Sequence, residues 1–218
     1  MGHPPAQPSP ALAFFADEDA EAHFAALDFA LRSGQHAQRS HPQQRAWFGL
    51  LHRQQASLAL YYRQYFGLAL EHRQQGGEPY YYLRPLEGGG CRVPEAHLLK
   101  LEPAHVIIAL LLCKIALIDY QEFESVDALF ALLREEYSAY REGLFRQLLH
   151  LRNNKESEFD ENKMHGWVKQ ALGEFEELGW MHRLPGGAWR VLPSLDRIRE
   201  LYQDEIQNMA TRYNAPHA

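Results

Sequence analysis

The sequence has few cysteines and no long apolar run. Only Cys91 and Cys113 occur among 218 residues, in a glycine-rich and an apolar stretch, with no C-x-x-C spacing. A disulfide framework or a cysteine-bound zinc needs more thiols, so a reducing cytoplasm is expected. The longest apolar run, residues 106–113, is far shorter than the roughly 20 residues that cross a bilayer. It predicts a buried helix and no membrane partner.

Positive charge is also scarce. The chain has 22 Lys and Arg against 28 Asp and Glu, a formal net charge of -6. A protein that binds DNA on its own usually neutralises many phosphates with clustered Lys and Arg. Strong free-standing DNA binding is therefore disfavoured.

Motifs for catalysis and for metal or phosphate binding are missing. No P-loop, G-x-G-x-x-G, G-x-S-x-G or H-E-x-x-H occurs, although the chain has 12 histidines. Glu95 with His97 and Glu102 with His105 do not have zinc-site spacing. Cys91 would need a base to act as a nucleophile, and only His97 lies near it in sequence. No catalytic residue, metal or cofactor is predicted.

The first half predicts helices followed by a ribbon. Residues 1–16 form a proline-rich leader that is expected to be disordered, and 17–32 have helical spacing that Gly34 ends. A short helix and a long one are predicted over 46–73, with Leu58, Tyr62, Tyr65 and Ala69 on one face. Residues 80–86 are strand-like, and the glycines at 88–90 are expected to turn that strand back into 91–94.

The second half predicts a central apolar helix over 103–118, a helix capped by Ser125, and an amphipathic segment over 141–152. After a polar break at 153–162, Asp160 caps a helix that ends at Gly179. The strands WMHRL and AWRVL flank a proline-glycine turn, and a last helix starts at Ser194.

The two halves repeat one order of elements: helices, a long amphipathic helix, and a β ribbon that leaves through proline. This order predicts a mainly α protein with small β wings, built as tandem winged-helix domains. The expected domains are 17–100 and 101–218, the second with a terminal helix.

Aromatic and basic side chains define three candidate surfaces. Aromatics and Arg are enriched where proteins bind partners, although many aromatics are simply core. The hypotheses are a partner interface at Trp180, Arg183, Trp189, Arg190, Tyr80 and Tyr82; DNA contact at Lys163, Lys169, Arg183 and Arg190; and a homodimer interface at Tyr61, Tyr62 and Tyr65. Acidic residues at 160–161 and 174–177 argue against base reading by the helix between them.

Residues 46–73, GEPYYYLRPL (77–86), the apolar helix after LEP (101–103) and WRVLPSLDRI (189–198) together resemble the MukE and MksE family. Its members are the kite subunits of bacterial condensin-like SMC complexes. The resemblance covers about residues 17 to 209 and rests on element order and aromatic clusters, with no short diagnostic motif.

The resemblance implies a non-catalytic homodimer that binds the kleisin linking the heads of an SMC ATPase. It also implies a nucleoid-associated cytoplasmic protein that helps to hold DNA in the assembled complex. The role would be chromosome organisation and segregation, or plasmid defence. The family offers no catalytic residue to transfer, and its kleisin contacts cannot be placed on single residues here.

Two other function classes fit parts of the sequence. A free-standing winged-helix transcription regulator would have the same elements, and it would bind duplex DNA specifically at physiological salt. An enzyme using the His and Glu residues near 95–105 would carry a stoichiometric metal.

Overall fold

The computed structural model describes residues 9–75, 78–152 and 160–209. The chain divides into two compact units, the first up to Leu99 and the second from Lys100; the sequence places this boundary between residues 100 and 101. The described part is mainly α-helical with two small antiparallel sheets. The prediction of a mainly α protein with small β elements is confirmed.

The first unit contains three α-helices and a three-stranded sheet in its described part. The helices are α1 (Ala20–Arg32), α2 (Arg45–Arg53) and α3 (Gln55–Tyr61), and a π-helical turn, Tyr62–Phe66, extends α3. The strands β1 (Ala37–Gln38), β2 (Leu68–Gln75) and β3 (Glu78–Pro85) lie in the order β1-β3-β2 and are antiparallel. Short 3-10 turns cover Pro42–Gln44, Glu87–Gly89 and Glu95–His97.

Part of the expected disordered leader is folded. Pro10–Ala16 is a 3-10 helix that starts at a proline, and it places Phe14 in the core, with no exposed surface. The amide of Phe14 donates to Ser57 Oγ (3.0 Å), and that hydroxyl donates to the Pro10 carbonyl (2.9 Å). The expectation of disorder therefore does not hold for this segment; residues 1–8 lie outside the described residues.

The predicted long helix ends at Gly67, so the prediction of helix through residue 73 is wrong. Gly67 has φ 65°, the left-handed conformation that ends helices. Leu68–Gln75 is instead a strand, with Glu71 opposite Tyr82. A Cβ at position 67 would lie 1.8 Å from the Gly90 carbonyl oxygen. Only glycine fits this crossing of two backbones.

The predicted pairing of 80–86 with 91–94 is also wrong. Residues 78–85 pair with 68–75, and the glycines at 88–90 belong to a 3-10 turn and its end. The amide of Arg92 donates to the Phe66 carbonyl (2.8 Å) and the amide of Leu86 donates to the Gly67 carbonyl (3.0 Å). The chain on both sides of the glycines thus binds beside Gly67 by single hydrogen bonds.

The second unit begins with α4 (Pro103–Leu112), which a π-helical turn extends as Cys113–Ile118. It continues with α5 (Val126–Glu135), α6 (Ser138–Leu151), α7 (Glu161–Glu177), the hairpin strands β4 (Met181–Arg183) and β5 (Trp189–Val191), a 3-10 turn at Pro193–Leu195, α8 (Asp196–Leu201) and α9 (Gln203–Gln207). The predicted last helix is interrupted at Tyr202, which has φ -127°. Residues 153–159 of the predicted polar break lie outside the described residues.

Local signals in the second unit work as predicted. Ser125 Oγ accepts from the Ala128 amide (3.0 Å), and Asp160 Oδ1 accepts from the amides of Asn162 (3.0 Å) and Lys163 (3.2 Å). Between the strands, the Gly187 amide donates to the Leu184 carbonyl (2.9 Å). These contacts set where α5, α7 and the hairpin begin and end.

The cores of the two units differ in chemistry. The second has a continuous core of mostly aliphatic side chains around α4, with Ile108, Leu112 and Ile115 fully buried. The first has a smaller core rich in tyrosine and phenylalanine. Beside that core lie buried polar side chains from β1 and the chain next to it: His36, Gln38, His41 and Gln44.

Candidate partner-binding surfaces

The hairpin of the second unit is fixed to the core by two tryptophans. Trp180 is only 2% exposed, and its ring lies 5.4 Å from that of Phe175 at the end of α7. The Trp189 amide donates to the Glu124 carbonyl (2.9 Å), and the Leu192 amide donates to the Trp180 carbonyl (2.9 Å). Trp180 and Trp189, which the sequence offers as partner contacts or as anchors on the core, are both buried.

The two hairpin arginines have different environments. The guanidinium of Arg183 lies over the Trp189 ring at 4.4 Å and 3.8 Å from a Glu176 oxygen. The Arg183 amide also donates to Glu176 Oε1 (3.2 Å). Arg190, opposite His182 in the register, is exposed. Arg183 therefore has an ion pair and a ring contact within the unit, and Arg190 is the more available of the two charges.

The outer face of α7 has mixed charge. Lys169 is exposed, whereas Lys163 Nζ lies 3.9 Å from its capping residue Asp160. Glu161 forms ion pairs with Arg134 and Arg141. A phosphate here would meet these carboxylates as well as the two lysines, so α7 is a weak DNA-binding surface by itself.

The predicted partner tyrosines of the first unit are core residues. Tyr80 has no exposed surface and Tyr82 is 5% exposed. Their rings pack near that of His36, at 5.9 and 5.2 Å. A surface role for Tyr80 and Tyr82 is therefore not available in this fold, because successive β3 side chains, Tyr81 included, are all covered.

The predicted dimer tyrosines belong to one aromatic cluster. Tyr62 is fully buried and Tyr65 is 48% exposed. Ring contacts of 5.3–5.4 Å connect Tyr65 through Tyr61 and Phe24 to Phe15, which is 57% exposed. We call Phe15, Phe24, Tyr61 and Tyr65 the aromatic patch. Sequence reasoning missed Phe15 because it assigned the FF pair at 14–15 to the leader.

The histidine and glutamate pairs near residue 100 belong to different units. Glu95 and His97 lie in the first unit, whereas Glu102 and His105 lie in the second. His105 Nδ1 contacts Glu174 on α7, and Arg152 Nη2 lies 3.4 Å from His105 Nε2 and 3.5 Å from Glu102. These contacts join the ends of α4, α6 and α7. Among residues 9–75, 78–152 and 160–209, no three His, Cys, Asp or Glu side chains could hold one metal ion.

The two cysteines differ in reactivity. Cys113 is buried in the second core, and burial raises the pKa of its thiol to about 12. Since the thiolate is the reactive form, this thiol is protected. Cys91 is only partly buried, and its thiol donates to the Val93 carbonyl (3.7 Å).

No helix in the described part of the chain is long and apolar enough to cross a membrane. The apolar helix α4 is instead buried in the core of the second unit.

Comparison with known proteins places the chain among condensin complex proteins. The family model for condensin complex protein MksE matches residues 22–203, most of both units. The chain belongs to the MksE family. No curated protein sequence matches it.

Proposed function

We propose that this protein is the kleisin-binding, or kite, subunit of a bacterial condensin-like SMC complex of the MukBEF or MksBEF type. The observation that carries the proposal is the MksE family match over residues 22–203. In this proposal the protein does no catalysis, and the SMC ATPase that it reaches through the kleisin hydrolyses ATP.

The proposal includes tandem winged-helix domains. Each unit has a helical segment that ends at a left-handed glycine, Gly67 or Gly179, followed by an antiparallel hairpin. Each hairpin leaves through a proline, Pro85 or Pro193. This repeated order supports the assignment of the two hairpins as wings.

The second hairpin is the proposed kleisin surface. Its buried tryptophans hold the strands on α7, and Arg190 projects from them. A rigid, pre-organised surface with an exposed arginine in the middle of β5 binds a partner at low entropic cost. DNA is proposed to contact Arg183, Arg190, Lys163 and Lys169 only in the assembled complex, because the chain itself has a net charge of -6.

The aromatic patch of the first unit is the proposed homodimer surface. Phe15 and Tyr65 expose about half of their surface. Exposed aromatics are enriched in protein interfaces. The proposed cellular role is chromosome organisation and segregation, or plasmid defence, at the nucleoid.

The test is affinity purification of the tagged protein from its native cells, with co-purified proteins identified by mass spectrometry. Recovery of an SMC-type ATPase and a kleisin supports the proposal. Recovery of neither, with DNA fragments enriched instead, would contradict it and favour a free-standing transcription regulator.

A charge reversal tests the hairpin surface within that experiment. We expect Arg190→Glu to reduce kleisin recovery, because the exposed guanidinium becomes a carboxylate. Arg45→Glu makes the same charge change on the exposed start of α2 and serves as the control. Equal recovery with both variants would remove the hairpin from the interface.

A further inference from the structure

An open groove lies between α4 and α6 in the second unit. It is lined by Ile107 from α4 and by Arg146, Gln147, His150 and Leu151 from α6, and its volume is about 560 Å³. One benzene ring occupies an engineered cavity of roughly 150 Å³. The groove is therefore large enough for more than one apolar side chain of a partner.

The helix periodicity explains why this groove is partly apolar and partly basic. On α6, Arg146 and His150 form one row and Gln147 and Leu151 the next, since residues four apart share a face. The buried side of the same helix carries Leu144, Phe145, Leu148 and Leu149. Leu151 is left 38% exposed, and Ile107 faces the groove from α4.

The charge on the groove is not balanced within the described part of the chain. Arg152, next in sequence, pairs with Glu102, but no ion pair joins Arg146 to any described carboxylate, including Glu142 one turn away. Arg146 is exposed, and His150 adds a ring nitrogen beside it. A carboxylate placed over this row would meet a cation that has no described partner, which is charge complementarity toward an acidic ligand.

We propose that this groove docks an amphipathic segment of a partner protein, with apolar side chains between Ile107 and Leu151 and carboxylates on Arg146 and His150. An apolar groove with charged edges is the usual receptor for such a segment. The inference deepens the proposed function, on which it rests, by naming the chemistry of the partner segment and a second place where it binds.

Two synthetic fluorescent peptides test the groove on the full-length protein. Both peptides have leucines at the same helical positions, and the positions between the leucines carry glutamates in one peptide and lysines in the other. In anisotropy titrations we expect the glutamate peptide to bind at least about tenfold more tightly than the lysine peptide, which is a difference in binding free energy of about 1.4 kcal/mol. We expect Arg146→Glu to abolish or reverse that preference and Ile107→Ser to weaken both peptides.

Matched variants control for general surface effects. Arg45→Glu repeats the charge reversal in the first unit. Leu201→Ser removes an exposed apolar side chain outside the groove, at the end of α8, where Leu201 is 63% exposed. Both should bind like the parent. No peptide preference, no binding of either peptide, or equal effects of groove and control variants would overturn the proposal. Self-association that Ile107→Ser abolishes would overturn it too, since a second copy would then occupy the groove.

The outcome is separable from that of the proposed function. If purification recovers no SMC or kleisin partner but the peptide preference and its reversal are seen, the proposed function fails and the groove chemistry stands. If the partners are recovered equally with the parent and with Arg146→Glu, and the peptides do not discriminate, the groove proposal alone fails.

Discussion

The two hairpins of this chain follow the same kind of helix end but are stabilised differently. In the first unit, strands Leu68–Gln75 and Glu78–Pro85 are long and have a third strand beside them. In the second, Met181–Arg183 and Trp189–Val191 are short and form a sheet of their own. The long hairpin is an integral part of its unit, whereas the short one depends on its two tryptophans.

The two hairpins also differ in the side chains that they expose. The sheet of the first unit is covered by its own side chains, and the exposed aromatics Phe15, Phe29 and Tyr65 come from its helical segments. The second hairpin has its tryptophan rings buried and Arg190 exposed. The sheet is thus internal to the first unit, whereas the second hairpin exposes a charged side chain.

Removal of the tryptophan anchor should cause the largest loss of stability, and this loss should fall on the second unit. We expect Trp180→Ala to destabilise the second unit by about 3–5 kcal/mol, the usual cost of truncating a buried tryptophan. Denaturant unfolding followed by labelling of the buried Cys113 thiol measures that unit. Arg190→Ala, on the neighbouring strand, should change its stability by less than about 0.5 kcal/mol. Similar effects of the two variants would show that Trp180 is not the anchor.

A substitution at Gly67 should break the first unit alone. We expect Gly67→Ala to cost about 2–4 kcal/mol, from the left-handed backbone and the clash with the Gly90 carbonyl. Hydrogen exchange of first-unit backbone amides, measured by mass spectrometry, follows this unit. Gly88→Ala is the control, because Gly88 also has positive φ but an added Cβ meets nothing within 4 Å. Equal losses would mean that the clash contributes nothing.

Removal of the Asp160 cap tests how much the start of α7, the helix that precedes the second hairpin, contributes to stability. We expect Asp160→Ala to cost about 1 kcal/mol, since two amide groups lose their acceptor. Asp160→Asn keeps a capping oxygen and should retain most of the stability. Urea unfolding monitored by circular dichroism decides; unchanged stability in the alanine variant would show that the cap is not used in solution.

Acid should weaken the first unit through His72. Burial, with a smaller contribution from the nearby His52, lowers the pKa of His72 below its ordinary value. The unfolded chain then binds protons that the folded unit does not, so stability falls as pH drops through about 6.5 and levels off below the folded pKa. We expect His72→Gln to reduce this slope in urea unfolding, with first-unit peptides monitored by hydrogen exchange at each pH.

An exposed histidine in the same unit provides the control for the pH experiment. His97 is exposed on its 3-10 turn, and His97→Gln should leave the slope as it is in the parent. A slope that is the same in all three proteins would assign the acid sensitivity to other groups.

Local signals in the sequence were sufficient to predict most of the second unit. Ser125, Asp160 and the turn at Pro185 act on amides only a few residues away, so their roles can be read from sequence alone. The prediction for the first unit failed at residues 68–73 because LALEHR fits both helical and strand spacing. What decides between them is Gly67 and the pairing with residues 78–85, which is not local.

The candidate site was predictable only in part for the same reason. The exposed Arg190 follows from the alternation of a short strand. The burial of Trp180, Tyr80 and Tyr62 depends on which elements pack over them, and aromatic spacing alone does not show this. The groove between α4 and α6 joins residues about forty positions apart, and sequence reasoning had no signal for it.

The hydrogen bond from the Trp189 amide to the Glu124 carbonyl has a consequence for colloidal behaviour. An open strand edge is a template on which other chains add strands and aggregate. Here the outward amide of β5 is already taken by the segment before α5. The edge of β5 is thereby covered at Trp189, and strand addition by another chain is disfavoured at that position.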